Sequence, residues 1–292
     1  IKWEKYHIAT KHLIPKQLKE HGISAKNLRF TSPAVRAIIE GYTREAGVRG
    51  LERQIAKICR KSAIKIVDDP EVQLRITPKS LADLLGPRKF HNDELNKKDM
   101  VGLVNGLAWT SVGGEMLPIE VAVMTGTGKI ELTGSLGDVM KESARTAISC
   151  IRTRADRLGI QQDFYNKYDI HIHAPEGAVP KDGPSAGAAM ATAITSALTD
   201  IPIRHDLAMT GEITLLGRIL PIGGLREKTM AAYRAGIKVV VIPSENVPDL
   251  AEVDKVVKDK VEFLPVEQID QVLDIALTRH PEPRKQENAH EN

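Results

Sequence analysis

The spacing of apolar residues changes once along this chain of 292 residues, and that change governs what it can fold into. Through residues 4–67 apolar side chains recur at helical intervals, with no convincing alternation of the kind a strand needs. Beyond residue 99, strand-like runs alternate with helical ones. The pattern predicts a small all-α domain over residues 1–67 and a connecting segment over 68–98. A larger mixed α/β (α+β) domain over 99–280 and a polar, disordered tail over 281–292 complete it.

Within the first domain, Ser32-Pro33 reads as a helix start, Ser as N-cap and Pro in the first turn, with Val35, Ile38, Ile39 and Tyr42 on one face. A second stripe carries Leu51, Ile55, Ile58, Cys59, Ser62 and Ile66, which makes Cys59 a core thiol and not a nucleophile. With Cys150 the only other cysteine, the chain holds neither a disulfide framework nor a metal-ligand cluster, and a reducing cytoplasm is the expected compartment. No apolar run reaches the roughly 18 residues of a membrane span. The chain opens Ile1-Lys2-Trp3, without Met or leader, and reads as a fragment of a longer protein. Its net charge of +3 conceals an asymmetry: residues 1–67 hold 15 Lys and Arg against 5 Asp and Glu, a charge of +10, and the rest hold 26 against 33. A lobe that basic suits nucleic-acid phosphates, a nucleotide or an acidic neighbouring domain.

Three segments bear on chemistry. Gly126-Thr127-Gly128-Lys129 invites comparison with a phosphate loop, but Val123 replaces the first Gly, Ile130 replaces the magnesium-binding hydroxyl, and a strand follows where a helix is required. A hairpin turn is expected there, and no ATP hydrolysis by this chain alone. His171-Ile172-His173 puts two imidazoles on one strand face, yet no further ligands stand at recognisable spacing, so a polar strand face is expected. Most informative is Pro180-Lys181-Asp182-Gly183-Pro184-Ser185-Ala186-Gly187, a glycine-rich turn that delivers Ser185 to the first turn of a helix of Ala, Met, Ile and Leu. Free N–H groups and the positive dipole end there stabilise an oxyanion, as acyl transfer to serine requires. The alternative is that Ser185 only caps the helix.

A serine nucleophile needs a base. On the helix after Gly223-Gly224, Lys228 falls with Leu225, Ala232 and Ala235 on the buried stripe, where lost hydration lowers an amine's pKa toward the range of a general base. The alternative for Lys228 is a snorkelling surface lysine. A rival reading takes Gly183-Pro184-Ser185-Ala186-Gly187 as the elbow of an α/β-hydrolase, but no strand runs directly into the serine and the downstream His280 lies in a polar tail.

Gly-Pro-Ser-Ala-Gly after Pro-Lys-Asp, Met209-Thr210-Gly211-Glu212-Ile213-Thr214, and Leu220 through Lys228 closely resemble the proteolytic domain of the bacterial Lon proteases. Gly106-Leu107-Ala108-Trp109-Thr110, Thr133-Gly134-Ser135-Leu136-Gly137 and Ala174-Pro175-Glu176-Gly177 are similar too, so the likeness covers nearly all of residues 100–278. Residues 42–53 resemble the helical small domain of that family's AAA+ module. The resemblance implies a Ser-Lys dyad protease with Ser185 as nucleophile, Lys228 as general base, Thr210 orienting the amine, and Arg49 as a nucleotide-sensing arginine that matters only in the full-length protein. It implies no cofactor for peptide-bond hydrolysis and no metal, with ATP and magnesium serving the intact protein. The implied partners are unfolded polypeptides and further copies in a hexamer, with no membrane. DNA contact through the basic lobe is the alternative function. The family's N-terminal substrate-binding region and ATP-binding large subdomain have no counterpart within these residues.

Overall fold

The computed structural model describes residues 2–43, 45, 47–89, 98–110, 113–134, 136–175 and 182–283. They form two compact units, Ile1–Glu94 with Ser111–Gly113, and Leu95–Thr110 with Gly114–Asn292.

In the first unit α1 (Lys2–Ile8) and α2 (Ile14–Glu20) are joined by a π turn over Ala9–Leu13, just ahead of Pro15, whose missing N–H disturbs the regular ladder. A short strand β1 (Leu28–Phe30) leads into α3 (Ser32–Gly41), and α4 (Arg49–Asp68) follows. The cap of α3 is Thr31, whose Oγ1 accepts the Ala34 N–H at 3.3 Å, one residue ahead of the expected Ser32. Val35, Ile38, Ile39 and Tyr42 are buried, as are Leu51, Ile55, Ile58, Cys59 and Ser62 of α4.

The expectation of a strandless lobe is corrected by β1, which pairs in parallel with β2 (Leu74–Ile76). Three residues are too few for alternation to register, and the partner lies on the far side of two helices. In the connecting stretch after residue 68, the alternation over residues 72–76 and the helix start at Thr77-Pro78 predict a short strand and a short helix ending near Gly86. These are β2 and α5 (Leu81–Leu85), and Ile76, Leu81 and Leu85 join the core of this unit.

The second unit is built on a seven-stranded sheet. Its strands are β3 (Leu103–Thr110), β4 (Gly113–Thr125), β5 (Ile130–Thr133), β6 (Tyr168–His173), β7 (Leu207–Met209), β10 (Val239–Pro243) and β11 (Glu262–Val266), in the order β11-β10-β7-β3-β4-β6-β5. A separate hairpin pairs β8 (Glu212–Ile213) with β9 (Ile219–Leu220). The helices are α6 (Asp138–Thr153), α7 (Phe164–Lys167), α8 (Gly187–Thr199), α9 (Leu225–Ala235), α10 (Lys255–Lys258) and α11 (Ile269–Ala276).

Strand β10 shows how the layers form. Val239 and Val241 enter the core shared with α6, α8 and α11, whereas Val240 and Ile242 enter a second core with Leu225 and Ala232 of α9. Alternate residues of a strand point to opposite faces, so a strand covered on both must be apolar throughout, as Val-Val-Val-Ile is. Helix α8 is buried from Gly187 to Ser196 on every side, which explains its lack of a polar stripe. The apolar spacing over 136–158 predicts one long helix, which is α6 ending at Thr153 in a series of turns, and the closing helix predicted over 266–277 begins only at Ile269, with β11 ending at Val266 ahead of it.

Candidate active site

The serine turn is set by backbone geometry. Gly183 stands at φ 130° and ψ 157°, a region that side-chain-bearing residues essentially do not occupy, and it turns the chain into the short 3₁₀ turn Pro184–Ala186. Asp182 Oδ1 fastens the approach by accepting N–H bonds from Gly183 at 2.9 Å and from Met140 in the first turn of α6 at 3.1 Å. Ser185 is half-buried one residue before the Ala186 N-cap of α8, and the hydroxyl makes no capping bond there. The capping alternative is therefore not how the side chain is used. Among the described residues no strand feeds the serine either: β6 ends at His173, and Ser185 sits on a turn that opens at Pro184.

The strip Thr210–Gly211 lies alongside. Gly211 N–H donates to the Ser185 carbonyl at 2.9 Å, Ala188 N–H to the Gly211 carbonyl at 3.0 Å, and Thr210 N–H to the Val241 carbonyl at 3.2 Å, which ties the serine turn to the central sheet. Thr210 is buried, and its hydroxyl donates to the Ser185 carbonyl at 3.5 Å.

Lys228 approaches from α9. Only 3 % of it is exposed, so it is not a snorkelling lysine, and Nζ donates to Thr210 Oγ1 at 3.2 Å. Burial without an opposing charge disfavours the ammonium and pushes its pKa down from 10.5 to about 8. Helix α9 comes this close because Gly114 lets β4 lie flat on it: a Cβ there would run into the Glu227 carbonyl oxygen and stand 2.9 Å from the Lys228 nitrogen. Ser185, Thr210 and Lys228 thus meet in one unit through Thr210. Arg49 belongs to the other unit, exposed in the first turn of α4, whose second and third amides, Gly50 and Leu51, donate to the Glu45 carboxylate at 2.7 and 2.8 Å.

The remaining chemical segments have structural partners. Thr127, Gly128 and Lys129 donate their N–H groups to Asp169 Oδ1 at 2.9, 3.0 and 2.7 Å, and β5 follows, but the expected hairpin is not formed because β6 lies between β4 and β5 in the sheet. A carboxylate occupies the amide cradle in which a phosphate loop would hold phosphate, and the accepted bonds hold its pKa below the usual carboxylate range. His171 Nε2 and His173 Nδ1 share Thr133 Oγ1, at 2.8 and 2.6 Å. Among the described residues no group of three or more His, Cys, Asp or Glu could hold a metal. Burial pushes the Cys59 thiol up to about 11, as suits an inert core residue.

A serine at the start of a buried helix, whose backbone carbonyl is tied through a threonine to a dry and weakly basic lysine on a mixed α/β scaffold, is an arrangement suited to a serine peptidase domain. The family follows from comparison with known proteins: residues 75–279 match the model of the Lon protease (S16) C-terminal proteolytic domain, residues 19–75 match that of the Lon protease AAA+ ATPase lid domain, and the chain belongs to the Lon protease family. It is 52 % identical to the Lon protease of Trichlorobacter lovleyi over 280 residues, which are 96 % of this chain and 34 % of that protein. Against the Lon protease of Bacillus thuringiensis the identity is 55 % over 274 residues, 94 % of this chain and 34 % of the relative. The Lon protease of Brucella abortus is 52 % identical over 280 residues, 96 % of this chain. The chain spans about a third of the length of these curated relatives.

Proposed function

We propose that this chain is the peptide-cleaving portion of an ATP-dependent protease, a serine endopeptidase acting on unfolded polypeptide through Ser185 and Lys228. The observation that carries the reading is Lys228, a dry amine lowered to about 8 and linked to the serine turn through Thr210. Neutral Lys228 takes the Ser185 hydroxyl proton as Oγ attacks the scissile carbonyl carbon. The oxyanion faces the N–H groups and dipole at the start of α8. When the C–N bond breaks, Lys228 returns the proton to the leaving amine, and a water activated the same way hydrolyses the ester. Thr210 holds the amine at rest, and catalytic hydrogen bonds that are long without substrate tighten when it binds. The chain's own residues supply nucleophile and base, so this step calls for no cofactor. In the intact protein ATP and magnesium would drive substrate delivery, Arg49 would sense nucleotide, the copies would assemble as a hexamer, and the site of action would be the cytoplasm.

The test is cleavage of an unstructured peptide by the purified chain. Ser185→Ala should abolish it. Lys228→Arg should be nearly as inactive as Lys228→Ala, because a guanidinium stays protonated. Thr210→Val should weaken cleavage less. The wild-type rate should climb with pH through about 8, as Lys228 loses its proton. Turnover by Lys228→Arg near that of wild type would overturn the dyad. The +10 charge of residues 1–67 supports nucleic-acid phosphate as a further partner, and affinity for duplex DNA that falls steeply with salt would bear this out.

A further inference from the structure

A buried amide stands behind the lysine helix. Asn246 lies in the run of turns Ser244–Glu252 that follows β10, and only 2 % of it is exposed. Its Oδ1 accepts the Ile222 N–H at 2.9 Å, and its Nδ2 donates to the Ile222 carbonyl at 2.9 Å and to Asp249 Oδ2 at 2.6 Å. One side chain thus satisfies both backbone groups of one residue, as a neighbouring strand would. A primary amide offers donor and acceptor side by side in one plane at every pH, and asparagine is the shorter of the two residues that carry one. Ile222 stands in the turn between β9 and α9, just before the Gly224 N-cap and six residues ahead of Lys228. Around it, Ile222 and Leu250 pack on the core that holds Leu225, the first residue of α9.

We infer that Asn246 is a positioning residue of the Ser185–Lys228 site: its amide fixes the turn from which the lysine helix departs, and with it the place and dryness of the Lys228 amine. Helix α9 is then held at its start from two directions, by Asn246 behind the turn and by the flat approach of Gly114 to Glu227. The charged groups nearby are engaged elsewhere or lie on other faces of α9: Arg226 pairs with Asp254 at 3.4 Å, Asp249 accepts from Asn246 itself, and Glu227 neighbours the lysine along the chain. Lys228 owes its lowered basicity to burial alone, so it depends on how firmly α9 is seated. A loosened turn admits water to Nζ, returns the amine toward its ordinary basicity, and shifts it relative to Ser185.

The inference rests on the Ser-Lys reading, and the test keeps the two apart. Lys228 is titrated by NMR on isotope-labelled lysine, which needs no catalysis, and cleavage of an unstructured peptide is measured in parallel with Ser185→Ala as the control for the dyad. Asn246→Asp keeps the size and the acceptor for the Ile222 N–H but sets a carboxylate against the Ile222 carbonyl and against Asp249. It should lower kcat about 10- to 100-fold with KM little changed, in line with the cost of a small misplacement. The Lys228 midpoint should move up by about a unit or more. Asn246→Ser, which retains one of the two bonds, should fall between, and it carries the test if the Asp variant does not fold. Phe164→Leu, a cavity at a fully buried position on α7, should lower the thermal midpoint and leave the Lys228 titration where it is. A wild-type kcat and Lys228 midpoint in Asn246→Asp, or an equal shift in Phe164→Leu, would overturn the inference. Cleavage that survives Ser185→Ala would instead sink the dyad, with the Lys228 titration still deciding on Asn246.

Discussion

Lys228 sets function against stability within one side chain. The unfolded chain keeps the amine's proton up to about 10.5 and the folded chain releases it near 8, so the unfolded state binds more protons between those values and stability rises with pH across that window. Below pH 8 the cost of the buried ammonium is present in full, roughly 3 kcal/mol for a displacement of this size. Lys228→Met keeps the volume and removes the charge, giving up the bond to Thr210, whose hydroxyl retains the Ser185 carbonyl as acceptor. The variant should be inactive yet more stable by about 1–3 kcal/mol at pH 7, which raises a domain of this size by several degrees. The gain should shrink as the pH approaches 10.5. Calorimetry at pH 7 and 10 checks both parts, and a Met variant that melts below wild type at pH 7 would show that the amine is not held at such a cost.

At the scale of elements, the site depends on two backbones lying closer than side chains allow. Gly114→Ala would drive a Cβ into the Glu227 carbonyl, and because both partners are backbone, α9 or β4 must shift. We expect a loss of about 1–3 kcal/mol, typical of overpacking, and a larger fractional loss of peptidase activity than of folded protein. Activity per folded molecule equal to wild type would mean that α9 tolerates the shift.

The sequence singles out Ser185 and Lys228 as candidates because each breaks a local pattern, a glycine-proline turn delivering a hydroxyl to an all-apolar helix and a lysine on an apolar stripe, and the family resemblance is what favours them over a cap and a surface lysine. Helices with long stripes, α4 and α6, are legible for the same reason. Strands β1 and β8 are not, because two or three residues carry no period and their partners are set by tertiary structure. Strand β11 is missed because its residues, Glu-Phe-Leu-Pro-Val with Glu262 and Pro265 exposed, show neither a clean alternation nor a continuous buried run. Neither Gly114 nor Asn246 announces itself, for each acts on backbone that only folding brings near.

Taken whole, the molecule keeps its candidate chemistry in one unit and its candidate nucleotide sensor in the other. Ser185, Thr210 and Lys228 are all contributed by the unit that begins at Leu95, whereas Arg49 lies in the unit of Ile1–Glu94. The loop that resembles a phosphate cradle has its amides taken by Asp169, and phosphate brought there would meet a carboxylate. Peptide cleavage needs a nucleophile, a base and room for an extended chain, and ATP enters none of those requirements. We therefore expect residues 1–292 to cleave an unstructured peptide at the same rate with and without ATP and magnesium, and to release no phosphate from ATP. A stably folded protein should resist, since nothing in this chemistry unfolds a substrate. The measurement is a pair of assays on one preparation, peptide cleavage and phosphate release, run beside Ser185→Ala to exclude contaminating proteases. Phosphate release that co-purifies with the chain, or a cleavage rate that rises severalfold on adding ATP, would place a nucleotide site within these residues and overturn this division of labour.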